Sequence, residues 1–532
     1  MSKTAAMSRS INLLAITCVL ALSLSSCVPA LKVREARKSE PATYTGSTDT
    51  TNAATKSRQQ FFTDPNLRAL IDSALANNQE LNIMLQEITI AQSEVRARKG
   101  EYLPFVDFGA AAGAEKVGEF TRNGAVEHNL EVDHDTKFPE PLPDFMVGVH
   151  ASWELDIWKK LRNAKQAAVM RYLGSVEGRN FMVTNLVSEI ANSYFELMAL
   201  DNQLEILRSN ITIQQDALAI VKLEKQAAKV TELAVRRFEA EVLKNRSVQF
   251  DIQQRIVETE NRINFLVGRY PQPVARNSQA FSSLIPDTIY AGLPSQLLTQ
   301  RPDIRQAELE LTAAKLDVRS ARANFYPSLR LTAGIGVNAF DASRLMETPA
   351  SLLYNVAGDL VAPLINRNAI KAAYASANSR QLQAVYDYER CVLAAYVEVV
   401  NQLSNIQNLR RSYDLRAQQV DALSSSITIS NNLFRSARAD YMEVLLTQRD
   451  ALESRFELVE TRKQQMNAMV NVYQALGGGW KRSVHTTCSP TLPSPPIRRT
   501  TRCDWRRREG RSRSWRGARN RANPRSPPTP AR

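Results

Sequence analysis

The stretch GLPSQLLTQRPDIRQAELELTAAKLDVRSARANFYPSLRLTAGIGV, from Gly292 to Val337, decides the fold. Arg301-Pro302-Asp303-Ile304 starts a helix with Pro in its first turn. A long amphipathic run follows, and Pro327 stops it. Then Leu329, Leu331, Ala333, Ile335 and Val337 alternate as a strand does. The second half of this stretch has a twin. With Pro327 set on Pro104, Ala314 to Phe325 lies over Ala91 to Tyr102, pairing Val318 with Val95 and Arg319 with Arg96. Beyond each Pro the period changes from helical to alternating. The chain therefore reads as two copies of one helix–strand–strand–helix–helix unit.

Working outward, the first unit spans residues 61–268. Thr63-Asp64-Pro65 opens a helix whose apolar stripe (Leu67, Leu70, Ile71, Leu81, Leu85, Ile88) is expected to run unbroken to about Gly100. Two strands follow, Val106-Phe108-Ala110 and Val147 to Ile157, joined by a long polar loop. That loop carries His128, Asp133, His134 and Asp135, read as solvated residues because nothing fixes a metal-ligand spacing. From Lys160 to about Lys222 there is no Pro, and the apolar rhythm is close to heptad, as in coiled-coil packing. A reversal at Ala227-Ala228-Lys229-Val230 leads to a second long helix, Thr231 to Val267, closed by Gly268.

Residues 269–300, broken by prolines, form a connector. The second unit, 301–480, repeats the plan, with a second strand through Val356, Gly358, Leu360, Ala362 and Leu364 and long helices from Ala369 to about Ile429 and from about Asp440 to Leu476. Gly268 matches Gly477 and Ala228 matches Ala437. Tyr194-Phe-Glu196 matches Tyr396-Val-Glu398 at a step shorter by seven, which predicts a second helix two turns longer before its reversal.

The ends differ in kind. Residues 1–26 have Lys3 and Arg9 before an apolar run from Ile11 to Leu24, too short to span a membrane but suited to a signal peptide. Leu24-Ser25-Ser26-Cys27 resembles a bacterial lipobox, which makes Cys27 the lipidated first residue of the mature chain, and 27–60 a polar tether. The formal charge of +14 invites a nucleic-acid partner, but residues 481–532 hold 15 Lys and Arg against 2 Asp and Glu. The remainder has 53 against 52, so the body is nearly neutral and no nucleic acid is expected. The tail has 8 of the 23 prolines and no apolar period; it reads as disordered, or as a frameshifted end of the gene. The only cysteine of the body, Cys391, is read as a small buried hydrophobe. No nucleophile–His pairing, phosphate loop or metal spacing is visible, so neither an enzyme nor a cofactor is expected beyond the lipid on Cys27.

Four strands cannot close a barrel, and an open edge is not tolerated in lipid. Two chains would supply eight strands and three would supply twelve. Elementary physics thus gives an oligomeric barrel continued by a tube of antiparallel helices, without choosing two or three. The rival reading is a periplasmic coiled-coil scaffold or adaptor lipoprotein with no pore.

GLPSQLLTQRPDIRQAE, ARANFYPSLRLTAG and the closing ALGGGW resemble the TolC superfamily, in particular its lipoprotein outer-membrane factors, over about Asp64 to Trp480. The resemblance implies a mainly α fold with membrane β: a homotrimer sharing a twelve-stranded barrel that continues into a periplasmic helical barrel. It further implies an outer-membrane exit duct of a tripartite efflux pump, with a membrane-fusion adaptor and an inner-membrane transporter of RND type. Tyr441-Met442-Glu-Val-Leu-Leu446-Thr-Gln-Arg449 resembles the family's Tyr-Leu-x-x-x-Asp-x-x-Arg gate segment, making Met442, Leu446 and Arg449 the gate. Leu446 stands where relatives commonly have Asp, which favours an apolar constriction over a carboxylate–Arg lock; the competing reading puts Met442 and Leu446 in the core. The turns holding Ala228, Lys229 and Val230, and Ala437, Arg438 and Ala439, resemble the tips that meet the adaptor, with Ala where relatives usually have Gly.

Overall fold

The computed structural model describes residues 28–29, 31, 34–37, 41–44, 50–133, 136–284, 290–363, 365–436 and 438–481. The signal segment, Cys27, His134, Asp135, Leu364, Ala437 and the basic tail from Arg482 onward lie outside them. The first repeat comprises α1 (Pro65–Asn77), α2 (Gln79–Tyr102), β1 (Phe105–Glu115), β2 (Leu142–Leu155), α3 (Lys160–Gln226) and α4 (Glu232–Val267). The second comprises α5 (Pro302–Ala323), β3 (Ser328–Ala339), β4 (Leu352–Val361), α6 (Asn368–Arg435) and α7 (Tyr441–Ala475). The helix–strand step at Pro104 and Pro327 stands where the sequence puts it.

The opening helix is two helices, not one. Asp64 caps α1 by accepting from the backbone N–H of Asn66 at 2.8 Å. The break falls at Asn78, whose side chain accepts from Leu81 N–H at 2.8 Å and donates to the Leu266 carbonyl at 2.9 Å. A side chain satisfied on both sides replaces the intrahelical bonds that the kink removes. The loop between β1 and β2 is also more structured than expected. It contains a helix at Arg122–Asn129, which carries His128, and a small hairpin of Glu131–Asp133 with Thr136–Lys137. The strands stop sooner than the alternation does: β2 at Leu155 rather than Ile157, and β4 at Val361 before Ala362.

The two-turn extension of the second long helix is absent. α3 has 67 residues and α6 has 68. Lys160 and Asn368 are 208 positions apart, Gln226 and Arg435 are 209. The step changes by only one residue along the helices, and at 209 Glu398 is the counterpart of Glu189 rather than of Glu196. Short chance identities in a heptad sequence produced the misregister, because a seven-residue slip preserves the apolar seam.

Packing follows the seams. The main core gathers Leu67, Ile71, Ile190, Tyr194, Leu197, Ile263 and Tyr473 from α1, α3, α4 and α7, with Phe61 stacked on Tyr473 at 4.0 Å. A second core along α5 and α6 holds Ile304, Leu311, Val385, Tyr388, Ala395 and Val399. The tether is not free over its described length. Ala53 and Ala54 are buried in that second core, Arg34 pairs with Glu389 at 2.9 Å, and Tyr44 stacks on Tyr396. Its sequence shows no period because it borrows order from α6 rather than forming its own. The connector carries short turns at Ser278–Ser283 and Pro294–Gln300. Arg276 ties it to α3 and α4 through Asp201, at 2.5 and 3.0 Å, and Glu260.

Candidate functional site

The four strands form one antiparallel sheet in the order β1-β2-β3-β4. Its register sorts the side chains by chemistry. Phe108 lies opposite Val149, Val149 opposite Ile335 and Ile335 opposite Tyr354; the next row is Val106, Ala151, Ala333 and Val356. All such rows on this face are apolar. On the other face Asp107, His150, Gly334 and Asn355 form one row, and Glu154, Arg330 and Asp359 another. The period of two thus separates a continuous apolar face from one of polar and small residues that also carries Phe105, Met146 and Leu353.

Neither face of the sheet's outer strands is covered. Phe108 is 72% exposed and Val356 82% exposed, far beyond scattered surface apolar residues. The outer edges of β1 and β4 pair with nothing among the described residues, leaving unbonded backbone groups along strands of 11 and 10 residues. About 9–11 residues is the length of a membrane-crossing strand. No helix among the described residues is long and apolar enough to cross a membrane.

At the far end of the helices lie the two tips. Ala228 adopts φ 57°, the left-handed region, and closes α3 in a Schellman motif: its N–H donates to Lys225 O and Lys229 N–H to Glu224 O, both at 2.9 Å. Glu232 is held by Lys225 and by Arg236, at 2.8 Å from the latter. The hydrogen bond from Lys225 is the main cause that pulls the Glu232 carboxyl below its ordinary range. Val230 packs against a cluster of Val221, Val235 and Phe238. At the second tip Arg438 N–H donates to Leu433 O at 2.9 Å and Arg438 is exposed, while Ala439 is half-buried. Ala437 lies outside the described residues.

The three gate candidates share the first turns of α7. Tyr441, Val444, Leu445 and Gln448 face inward, the first and third against the Val221–Phe238 cluster. Leu446, Arg449 and Asp450 face away, with Leu446 39% exposed. Leu446 is therefore not a core residue of its own chain. Met442 is half-buried with its sulfur against the Arg237 guanidinium. Among the described residues Arg449 pairs with its neighbour Asp450, at 3.4 Å, and both are half exposed.

The pattern of the family described as outer membrane efflux protein matches residues 70–269 and 293–478, the two repeats without the connector. The chain belongs to the outer membrane efflux protein family. It is 29% identical to the cation efflux system protein CusC of Escherichia coli over 425 residues, which cover 79% of this chain and 88% of that one. It is 27% identical to the probable outer membrane lipoprotein SilC of Salmonella typhimurium over 423 residues, covering 79% and 88%. A crystal structure of CusC, in work on its folding and transmembrane channel formation, superposes with a TM-score of 0.73 at 26% identity, covering 85% of this chain and all of the other. It is an efflux channel of the outer membrane with the mainly helical TolC-type fold.

Family membership does not explain several residues that hold the channel wall together. Arg301 donates to Asp303 at 2.8 and 3.0 Å, to Glu398 at 2.7 Å and to the Ala475 carbonyl at 2.7 Å. Burial alone would lower its pKa, but Asp303 and Glu398 hold it above the ordinary arginine value. Asp156, its carboxylate buried, caps α3 by accepting from the N–H groups of Leu161 and Arg162 at 3.0 and 2.9 Å. The Asp-x-x-x-x-Leu spacing was the available signal, hidden because alternation carries on through Ile157. Cys391 is half-buried with its sulfur 3.6 Å from Asp303, and burial pushes the thiol up to about 12; at neutral pH it is an unreactive thiol.

Proposed function

We propose that three copies join β4 of one to β1 of the next, closing a twelve-stranded barrel whose apolar face meets lipid and whose polar face lines the lumen. The observation that carries this is the uncovered sheet with one apolar face and two open edges. Eight strands from two copies would leave an interior filled by side chains, whereas a duct needs a lumen. The helices continue the duct into the periplasm, where the two tips meet a membrane-fusion adaptor that couples them to an inner-membrane transporter of RND type. The channel is the passive exit of this tripartite pump for small molecules. Lipid on Cys27 supplies the anchor, and the barrel supplies the second membrane attachment that one acyl chain lacks.

Leu446, exposed on each protomer, meets its copies at the periplasmic end and closes the resting channel by dewetting, flanked by Met442 and Arg449. Leu446→Lys, which puts like charge beside Arg449 and cannot form a carboxylate–Arg lock, is expected to raise single-channel conductance in planar bilayers several-fold without added partners. Unchanged conductance would remove Leu446 from the gate. A heat-modifiable trimer that never conducts, in either form, would favour the scaffold reading.

A further inference from the structure

At the foot of the sheet, where β2 ends and β3 begins, a cavity of about 330 Å³ opens between the start of α3 and the end of α5. Lys159, Arg319 and Arg322 line it with Asn163, and Trp158 and Tyr326 form its aromatic wall. No acidic residue lines it. The nearby carboxylates are engaged elsewhere: Glu154 with Lys160 at 2.7 Å, and Asp156 with the start of α3. None of the three cations has an ion-pair partner among the described residues, and all three are exposed. Three like charges around one hollow repel one another, weakly because they are solvated, and make it attractive to an anion.

The framework is fixed. Trp158 stacks on Tyr326 at 4.7 Å and donates its indole N–H to the Pro327 carbonyl at 2.8 Å, yet remains 47% exposed. Lys159 is locked at φ 58°, the left-handed region, just before the helix begins. Strain of this kind persists where the surroundings over-determine it, and it clusters at sites that hold ligands.

Position identifies the anion. The tether runs along the same helix, α5: Lys315 pairs with Glu35, and Val28 and Leu31 pack with Val318 and Phe325. In sequence Val28 directly follows Cys27, and Val28 packs against this same helix. An exposed Trp158 stacked on a half-buried Tyr326, at the end of strands with an apolar face, has the placement of the aromatic residues at a membrane–water boundary.

We propose that Lys159, Arg319 and Arg322 bind the phosphate of an anionic phospholipid headgroup at the periplasmic surface of the outer membrane, with Trp158 and Tyr326 at the level of the glycerol. This rests on the sheet being the membrane span. The full-length lipidated oligomer in detergent is offered equimolar phosphatidylglycerol and phosphatidylcholine of matched chains, and retained lipid is read by native mass spectrometry. Each cation favours the anionic lipid by roughly fivefold. The wild type should retain phosphatidylglycerol preferentially, and the variant carrying Lys159→Gln, Arg319→Gln and Arg322→Gln should show almost no preference. Lys315→Gln, which removes a cation on the same helix that is already paired, should leave the preference intact. Equal retention by wild type and triple variant overturns the proposal. So does displacement of the lipid by millimolar inorganic phosphate, which would mark a soluble-anion site. Conductance of both proteins, each also carrying Leu446→Lys to hold the gate open, is read in parallel in pure phosphatidylcholine bilayers. A conducting triple variant is a folded barrel, so its lost preference belongs to the site; an otherwise wild-type protein that does not conduct even with Leu446→Lys would break the barrel reading instead.

Discussion

The two repeats solve the same structural problem with different chemistry. Asn78 and Arg301 are as far apart in sequence as Pro104 and Pro327, and Leu266 and Ala475 are as far apart as Gly268 and Gly477. In the first repeat the Asn78 amide donates to the Leu266 carbonyl; in the second the Arg301 guanidinium donates to the Ala475 carbonyl. Each bond ties the break before a channel-wall helix to the end of the repeat's last helix. The first tie is neutral and self-sufficient. The second buries a charge, which is tolerated only because Asp303 and Glu398 neutralise it. A backbone plan can thus be conserved between duplicates while its dependence on charge is not.

Breaking the two ties separates them most sharply. Arg301→Met removes the cation from two carboxylates and is expected to cost about 3–5 kcal/mol. Asn78→Ala leaves one helix-terminal carbonyl and one N–H without a partner, about 1–3 kcal/mol. Chemical denaturation of the detergent-solubilised protein measures both. Adding Asp303→Asn and Glu398→Gln to Arg301→Met should recover part of the loss, because uncompensated buried charge is most of it. Equal costs for the two single variants would mean that charge has no special part in the second tie.

The glycines beside these ties give the next test. Gly268 and Gly477 sit at φ 77° and 83°, and an added Cβ would come within 2.4 Å of the Asn77 carbonyl oxygen or 2.7 Å of the Gln300 carbonyl oxygen. Both obstacles are backbone, which cannot step aside. Gly268→Ala and Gly477→Ala should each cost about 1–3 kcal/mol by the same denaturation measurement. A silent Gly477→Ala beside a costly Gly268→Ala would show that the two helix ends are not equivalent after all.

What could be read from sequence, and what could not, follows from how far each cause reaches along the chain. Pro104, Pro327, Gly268 and Gly477 act through their own backbone, so the helix–strand steps and helix ends were legible. The face of each strand was legible for the same reason, since alternation is local. The break at Asn78 was not: Gln79-Glu80-Leu81 continues the apolar rhythm, and the local cap of Asn78 on Leu81 is joined by a bond to the carbonyl of Leu266, far along the chain. The hollow lined by Lys159, Arg319 and Arg322 was equally hidden, because its cations come from two helices more than 150 residues apart. Leu446 fell between. Its helical spacing suited core and gate alike, and only its exposure on the protomer distinguishes it from Val444.

The tips carry the comparison to its smallest effect. Lys225, Glu232 and Arg236 form an ion-pair latch across the first reversal; the positions 209 residues on are Phe434, Tyr441 and Leu445, which are apolar or aromatic. The folded-state pKa of Glu232 lies below its unfolded value, so the latch contributes fully above the ordinary glutamate pKa of 4.5 and is lost as pH falls through the lower folded value. Acidification from neutrality should therefore speed amide hydrogen exchange at Ala227–Glu232, after correction for the intrinsic pH dependence of exchange, and leave Leu433–Tyr441 nearly unchanged. Glu232→Gln should reproduce the acid behaviour at neutral pH. The latch is solvent-exposed, so high salt should weaken it in the same direction. If both tips loosen together on acidification, Glu232 is not the cause, and the asymmetry between the repeats ends at Arg301 rather than reaching the surface offered to a partner.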